Sequence, residues 1–303
     1  MYDIIIIGGG PAGLTAAIYA RRASKNVLVL EAMTCGGQII QAEKIENYPV
    51  CPNISGVDFA TKLQTQTKEL GAEIVFEKAI DIKDFGEYKE VVTTKNTYQC
   101  KTVILATGSE NRKLGLDNED ELVGRGVSYC ATCDGMFFKG KDVAVVGGGD
   151  TAIDDARYLS NIANKVYLIH RRDTFKAEEQ EVEELKTKTN VEFIFNSNVV
   201  KLNTTDNNLS NIEVKNNDGN ITTIDVSGIF IAVGRVPENQ NFAKLINLDS
   251  RGYVIAGEDC HTNIDGIFVA GDNRVKDLRQ LVTAASDGAI AATEAIKYMN
   301  KKN

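Results

Sequence analysis

Ile4-Ile5-Ile6-Ile7-Gly8-Gly9-Gly10-Pro11-Ala12-Gly13 joins an unbroken apolar run to a cluster of glycines. The chain repeats the pattern at Val143-Ala144-Val145-Val146-Gly147-Gly148-Gly149-Asp150-Thr151-Ala152. A short apolar run without alternation predicts a strand covered on both faces, as in a parallel sheet. Residues 14–22 after the first cluster and 153–161 after the second read as helix. A second apolar strand follows in each copy, Val27-Leu28-Val29-Leu30-Glu31 and Val166-Tyr167-Leu168-Ile169-His170. The chain therefore carries a β–turn–α–β pattern twice.

Each copy also closes alike, on Val103-Ile104-Leu105-Ala106-Thr107-Gly108 and on Ile229-Phe230-Ile231-Ala232-Val233-Gly234. A third such strand, Gly266-Ile267-Phe268-Val269-Ala270-Gly271-Asp272, stands without an opening turn of its own. The simplest reading is an α/β protein with two Rossmann-like dinucleotide-binding domains, the second inserted in the first. The expected boundaries are 1–112 with 241–303 for one domain and 113–240 for the other, with connections around 111–126 and 236–241. Elsewhere the signal is thinner. Residues 178–187 and 287–297 read as helices. Runs at 191–195, 212–215 and 221–224, with Asp218-Gly219 between the last two, read as a hairpin or meander, and 75–92 looks similar.

Bulk properties narrow the function. The 303 residues are long enough for two domains, and 43% hydrophobic with 25% charged is ordinary for a globular protein. A formal net charge of −8 lacks the cationic footprint of a nucleic-acid binder. Two histidines exclude a multi-histidine metal site, and six cysteines are too few for a disulfide-stapled secreted scaffold. No cationic segment precedes Ile4, no cleavage site follows Ile7, and no run approaches membrane-span length, so the expected location is the cytoplasm.

A strand–Gly-x-Gly-x-x-Gly–helix turn suits a pyrophosphate. The first glycine permits the turn, the second lets backbone approach the phosphates, and the third lets helix pack on strand. Gly8, Gly10 and Gly13 fit, and Glu31 ends the second strand where an acidic residue binds a ribose hydroxyl. In the second copy Gly147, Gly149 and Ala152 keep the frame with alanine third. Where Glu31 stood, this copy reads His170-Arg171-Arg172, with Lys176 beyond. Paired guanidiniums can hold the 2′-phosphate of NADP, which a carboxylate would repel. The competing reading is a solvated basic edge at a strand end.

Cys130-Ala131-Thr132-Cys133 is an isolated C-x-x-C, read beside βαβ units as a redox dithiol, and Asp134 next to it could exchange a proton with a departing thiol. Buried, inert thiols are the alternative. Two nucleotide sites and a dithiol outline a route from nicotinamide to disulfide, for which a flavin is the usual intermediary. The first turn would then hold the adenosine half of FAD.

These residues resemble the low-molecular-weight thioredoxin reductases over essentially the whole chain. The matching segments are 8–13, Gly36-Gly37-Gln38, Glu46-Asn47-Tyr48-Pro49, Ala106-Thr107-Gly108, 130–134, 147–152, 170–172, Gly271-Asp272 and Arg279-Gln280. The resemblance implies an NADPH-dependent thioredoxin-disulfide reductase, a homodimer whose partner is thioredoxin. It also implies that Cys133 faces the flavin, Cys130 attacks the protein disulfide, and Asp134 is the acid. Implied FAD contacts are Gly8, Gly10, Pro11, Ala12, Gly13, Glu31, Gly36, Gly37, Gln38, Asn47, Thr107, Gly108, Gly271, Asp272, Arg279, Gln280 and Leu281. Implied NADPH contacts are Gly147, Gly149, Asp150, Thr151, Ala152, His170, Arg171, Arg172, Lys176 and Gly234. In this family the small domain is thought to rotate about the two connections.

Two residues depart from the family pattern. Lys176 stands where a third arginine is commoner, keeping charge but losing fork geometry. Asn273 stands where an apolar residue is commoner. The alternatives are a ferredoxin-dependent flavin thioredoxin reductase of the same fold, a flavin NADP reductase without a dithiol, and a non-catalytic FAD/NADPH-binding sensor.

Overall fold

The structure, a computed structural model, describes every residue except 43, 52 and 303. These residues form two compact units, Met1–Glu110 with Val236–Asn303, and Asn111–Arg235.

In the first unit the isoleucine run becomes the strand Tyr2–Ile7. It lies between Val27–Glu31 and Thr97–Leu105, parallel to both, and Glu73–Phe76 extends the sheet past Val27–Glu31. Lys89–Thr93 and Ala79–Asp84 add an antiparallel flank. The late strand Ile267–Val269 pairs in parallel with Thr97–Leu105, so the chain returns to this sheet after the second unit.

The lack of alternation in the run has its physical reason in two cores. Ile4 and Ile6 pack with alanines of the helices Pro11–Arg22 and Leu281–Lys302, while Ile5 and Ile7 pack on the other face with Val91, Val103 and Val269. Each buried isoleucine contributes about 1.5–3 kcal/mol relative to exposure. The two helices meet through small residues, Ala12, Ala16 and Ala20 against Ala284, Ala291 and Ala295. A Cβ on Gly288 would stand 2.2 Å from the Ala12 carbonyl oxygen, so glycine there permits the close approach. The last helix starts at Leu281, earlier than the alanine pattern indicates.

The second unit holds a parallel sheet in the order Val191–Ile194, Lys165–Ile169, Asp142–Gly147, Gly228–Ala232, Val127–Ser128. Beside it lies an antiparallel sheet of Ser197–Thr205, Asn208–Asn216 and Ile221–Asp225. Residues 191–194 therefore extend the parallel sheet rather than a meander. The polar strand Ser197–Thr205 takes the meander place instead. Asp206 and Asn207 form its turn with φ of 50° and 61°, a left-handed pair that Asp and Asn tolerate and that suits a two-residue hairpin.

The two connecting segments, Ser109–Asn111 and Arg235–Pro237, pair with each other as a two-stranded ribbon. The units divide just before the boundaries expected at 112/113 and 240/241. Among the described residues no helix is long and apolar enough to cross a membrane.

Candidate nucleotide turns and redox pair

The first glycine turn is shaped by close backbone approach. A Cβ on Gly8 would lie 2.1 Å from the Ala106 carbonyl oxygen, and one on Gly13 would lie 1.9 Å from the Gly8 carbonyl oxygen. Gly10 differs, since a Cβ there would meet only the Gly37 Cα at 4.0 Å. The helix Pro11–Arg22 starts at this open position, with proline in its first turn and no acidic residue there. Its N–H groups and dipole thus present positive potential to the space.

The Glu31 carboxylate is oriented by two backbone donors, Gly9 N–H at 2.7 Å and Met33 N–H at 2.9 Å. Gly36 donates its N–H to the Gly9 carbonyl at 2.8 Å, which brings Gly36, Gly37 and Gln38 to the same turn. Asn47 donates to the Gln280 side chain at 3.0 Å. Gly271 abuts the start of the helix Pro11–Arg22, where its Cβ would lie 2.9 Å from that of Ala12. Arg279 stacks on Tyr253 at 4.3 Å and leads through Gln280 into the helix that begins at Leu281. Asp272 follows directly on Gly271 in the same turn.

Two buried asparagines complete this neighbourhood. Asn273 donates to the Thr107 hydroxyl at 2.9 Å and the Leu105 carbonyl at 3.3 Å. Asn239 donates to the carbonyls of Gly252 and Asn273 and accepts from Thr107 at 3.1 Å. The departure at Asn273 thus has a structural account: it ties the Thr107-Gly108 turn to the Gly271-Asp272 turn. Asn239 carries no motif signal and is found only through its contacts. Below the same turn Asp287 accepts from Gly271 N–H, Arg274 and Lys276, each at 2.9 Å.

The second glycine turn has the same logic with different side chains. A Cβ on Gly147 would stand 2.4 Å from the Ala232 carbonyl oxygen and 2.6 Å from the Ala152 Cβ, so the missing side chain makes room for alanine at the third position. Around Gly149 a Cβ would meet nothing within 4 Å. The helix Asp150–Ser160 starts there, with Asp150 and Thr151 in its first turn. Gly234 has φ +109° and accepts the Arg112 N–H at 3.0 Å.

His170 is buried, and its ring lies where a Cβ on Gly148 would project, 2.0 Å from that position. It faces the Thr174 carbonyl at 3.1 Å and stacks on Phe175. Burial, with the charges of Arg171 and Arg172, lowers its pKa against the opposing hydrogen bonds to the Thr174 and Gly147 backbone. His170 thus supports the turn from beneath. Arg171, Arg172 and Lys176 are exposed beyond the strand Lys165–Ile169, and Lys176 is tied to the turn by its N–H to the Gly148 carbonyl at 2.7 Å.

Cys130 and Cys133 are joined as a disulfide with Cα atoms 5.3 Å apart. Cys130 is the N-cap of the short helix Ala131–Asp134, and Cys133 lies within that helix. The Ser128 hydroxyl, which no motif marks, organises this segment. It donates to Asp134 Oδ2 at 2.6 Å and accepts the Cys130 N–H at 3.1 Å. Next to Cys130, Tyr129 donates to Glu119 at 2.7 Å, and that buried carboxylate also accepts the N–H groups of Leu114, Gly115 and Leu116. A carboxylate fixed beside a disulfide can supply and receive the protons that thiol–disulfide exchange moves.

The Pyridine nucleotide-disulphide oxidoreductase family model matches residues 2–289. The thioredoxin reductase of Listeria innocua is 42% identical, covering 99% of this chain and 95% of its own. That of Bacillus subtilis is 39% identical, covering 99% and 96%. The crystal structure of thioredoxin reductase from Streptococcus pyogenes superposes with a TM-score of 0.95 at 41% identity, covering 99% of both chains. The chain belongs to the pyridine nucleotide-disulphide oxidoreductase family and, within it, to the thioredoxin reductases.

Proposed function

We propose that the protein passes electrons from NADPH through FAD and the Cys130–Cys133 pair to the disulfide of thioredoxin. The observation that carries this reading is a bonded C-x-x-C in the same chain as two glycine turns of opposite charge preference, Glu31 after one and Arg171-Arg172 after the other.

The residues present fit both nucleotides. Open space over Gly10 and Gly149, at helix N-termini, has the chemistry of a pyrophosphate cradle. The first unit would hold FAD, with Glu31 on the adenosine ribose and residues 36–38, 47, 107–108, 271–272 and 279–281 around the cofactor. The second unit would hold NADPH, with Arg171, Arg172 and Lys176 on the 2′-phosphate and residues 147–152 and 234 along the rest. FAD supplies the chemistry that side chains lack, accepting a hydride and returning two electrons to a disulfide.

In the exchange with thioredoxin, the reduced Cys130 thiolate attacks one sulfur of the substrate disulfide, forming a mixed disulfide and releasing one thiolate. Cys133 then attacks Cys130 Sγ, which restores the Cys130–Cys133 bond and releases the second thiolate. Two electrons pass to thioredoxin, and its two thiolates take up two protons. Asp134, held by Ser128, stands to deliver a proton to a leaving sulfur. We further propose that the protein acts as a homodimer in the cytoplasm, where dithiols are kept reduced.

The test is turnover of oxidised thioredoxin with NADPH. Replacing Cys133 with Ser is expected to abolish disulfide reduction while sparing flavin reduction by NADPH. Thioredoxin turnover surviving that change would overturn the assigned roles.

A further inference from the structure

Asp155 lies on the helix Asp150–Ser160, outside every motif used above. That helix packs against the redox segment. A Cβ on Gly135 would lie 2.9 Å from Tyr158 and 3.1 Å from Leu159, so glycine at 135 lets the segment seat closely. At this contact the Ala131 N–H, which lies between the two cysteines in the chain, donates to the half-buried Asp155 carboxylate.

We propose that Asp155 is a positioning residue for the redox pair: it holds the Ala131 amide and, through its own charge, sets the nucleophilicity of the Cys130 sulfur. The proposal rests on the thioredoxin reductase reading for its function but not for its chemistry. An anion beside a thiol disfavours the thiolate, and a neutral carboxyl does not. Burial, joined by the charge of Asp154, pushes the Asp155 carboxyl up to about 7, against the opposing influence of the Ala131 amide and Arg235. Its charge therefore changes across the neutral range.

Charged groups reach this contact from several elements. Asp154 and Arg157 share its helix and pair with each other, and Arg157 also faces Glu181 and Glu184 of the helix Glu179–Lys186. Arg235 comes from the connecting ribbon, where it donates to Asn111 at 2.8 Å. Asp134 comes from the redox segment, engaged by Ser128. Tyr158, whose ring meets Gly135, and the two sulfurs when reduced are further ionisable groups at this contact.

The test uses the full-length protein reduced with dithiothreitol. Iodoacetamide alkylation of Cys130 is followed from pH 5.5 to 9.5 by mass spectrometry of the peptide spanning 130–133. Asp155→Asn is expected to lower the midpoint by about one pH unit, the size of shift a removed like charge gives. Asp155→Glu, which restores the charge, is expected to follow the wild-type curve. Superposable curves for wild type and Asp155→Asn would overturn the proposal, as would an equal shift in both variants. Turnover of thioredoxin by the wild type, measured separately at pH 7.5, reports on the underlying reading: its absence would refute that reading and leave the alkylation result standing.

Discussion

The Ser128 hydroxyl donates to Asp134 at 2.6 Å while accepting the Cys130 amide at 3.1 Å, so one buried side chain sets both the acid and the backbone of the first cysteine. Ser128→Ala removes both bonds and leaves the amide unsatisfied, a loss of about 1–3 kcal/mol for a buried group. Thioredoxin turnover is expected to fall about tenfold, with the rate of flavin reduction by NADPH unchanged in stopped flow. An equal fall in both half-reactions would assign Ser128 to the fold alone.

Arg171 and Arg172 follow the strand Lys165–Ile169 and are exposed, open to the 2′-phosphate proposed for them. Charge-assisted hydrogen bonds of about 1.5–3 kcal/mol correspond to roughly 10- to 100-fold in affinity. Arg171→Ala with Arg172→Ala is therefore expected to raise KM for NADPH by at least that range and to leave KM for NADH almost unchanged. Lys176→Arg, which adds a fork, is expected to lower KM for NADPH. Equal losses for both nucleotides would contradict a 2′-phosphate site.

The glycines differ in what a methyl group would meet. At Gly13 it would strike the Gly8 carbonyl at 1.9 Å, whereas at Gly149 it would meet nothing within 4 Å. Gly13→Ala is expected to give protein with less than stoichiometric flavin and a lower Tm. Gly149→Ala is expected to fold with full flavin and a raised KM for NADPH. Flavin absorbance per protein, thermal unfolding and kinetics separate the two.

Asp287 titrates under the Gly271 turn. Burial alone would raise its carboxyl, but hydrogen bonds from Arg274 and Lys276, the charge of Lys276 and the Gly271 N–H hold it below its ordinary 3.8. A depressed carboxylate contributes stability that is present above the unfolded value and fades as pH falls through the folded one. The Tm advantage of wild type over Asp287→Asn should thus narrow between pH 5 and pH 2.5. Arg274→Met, which leaves Asp287 buried beside one cation fewer, should cost about 3–5 kcal/mol at pH 7. A difference between wild type and Asp287→Asn that does not change with pH would contradict the account.

What the sequence reveals and what it hides divide along physical lines. The isoleucine run, the glycine spacing and the residues closing each second strand are local patterns, and each maps onto one turn or strand. The strand Ser197–Thr205 escapes notice because its apolar positions are interrupted by Asn, Lys and Thr on the open face. Ser128, Asn239, Asp155 and Asp287 escape for another reason. Their partners lie 6, 34 and 13 residues away or on another helix, and nothing in their own neighbourhood signals the contact. His170 is legible by position, yet its burial under Gly148 emerges only from packing.

The central claim is tested most directly by anaerobic titration of the purified protein with NADPH. Two equivalents, which carry the four electrons that one flavin and one disulfide take up together, are expected to bleach the flavin absorbance and to yield two additional titratable thiols, mapped to Cys130 and Cys133. A flavin that stays oxidised under NADPH, or that bleaches only with reduced ferredoxin, would contradict the account.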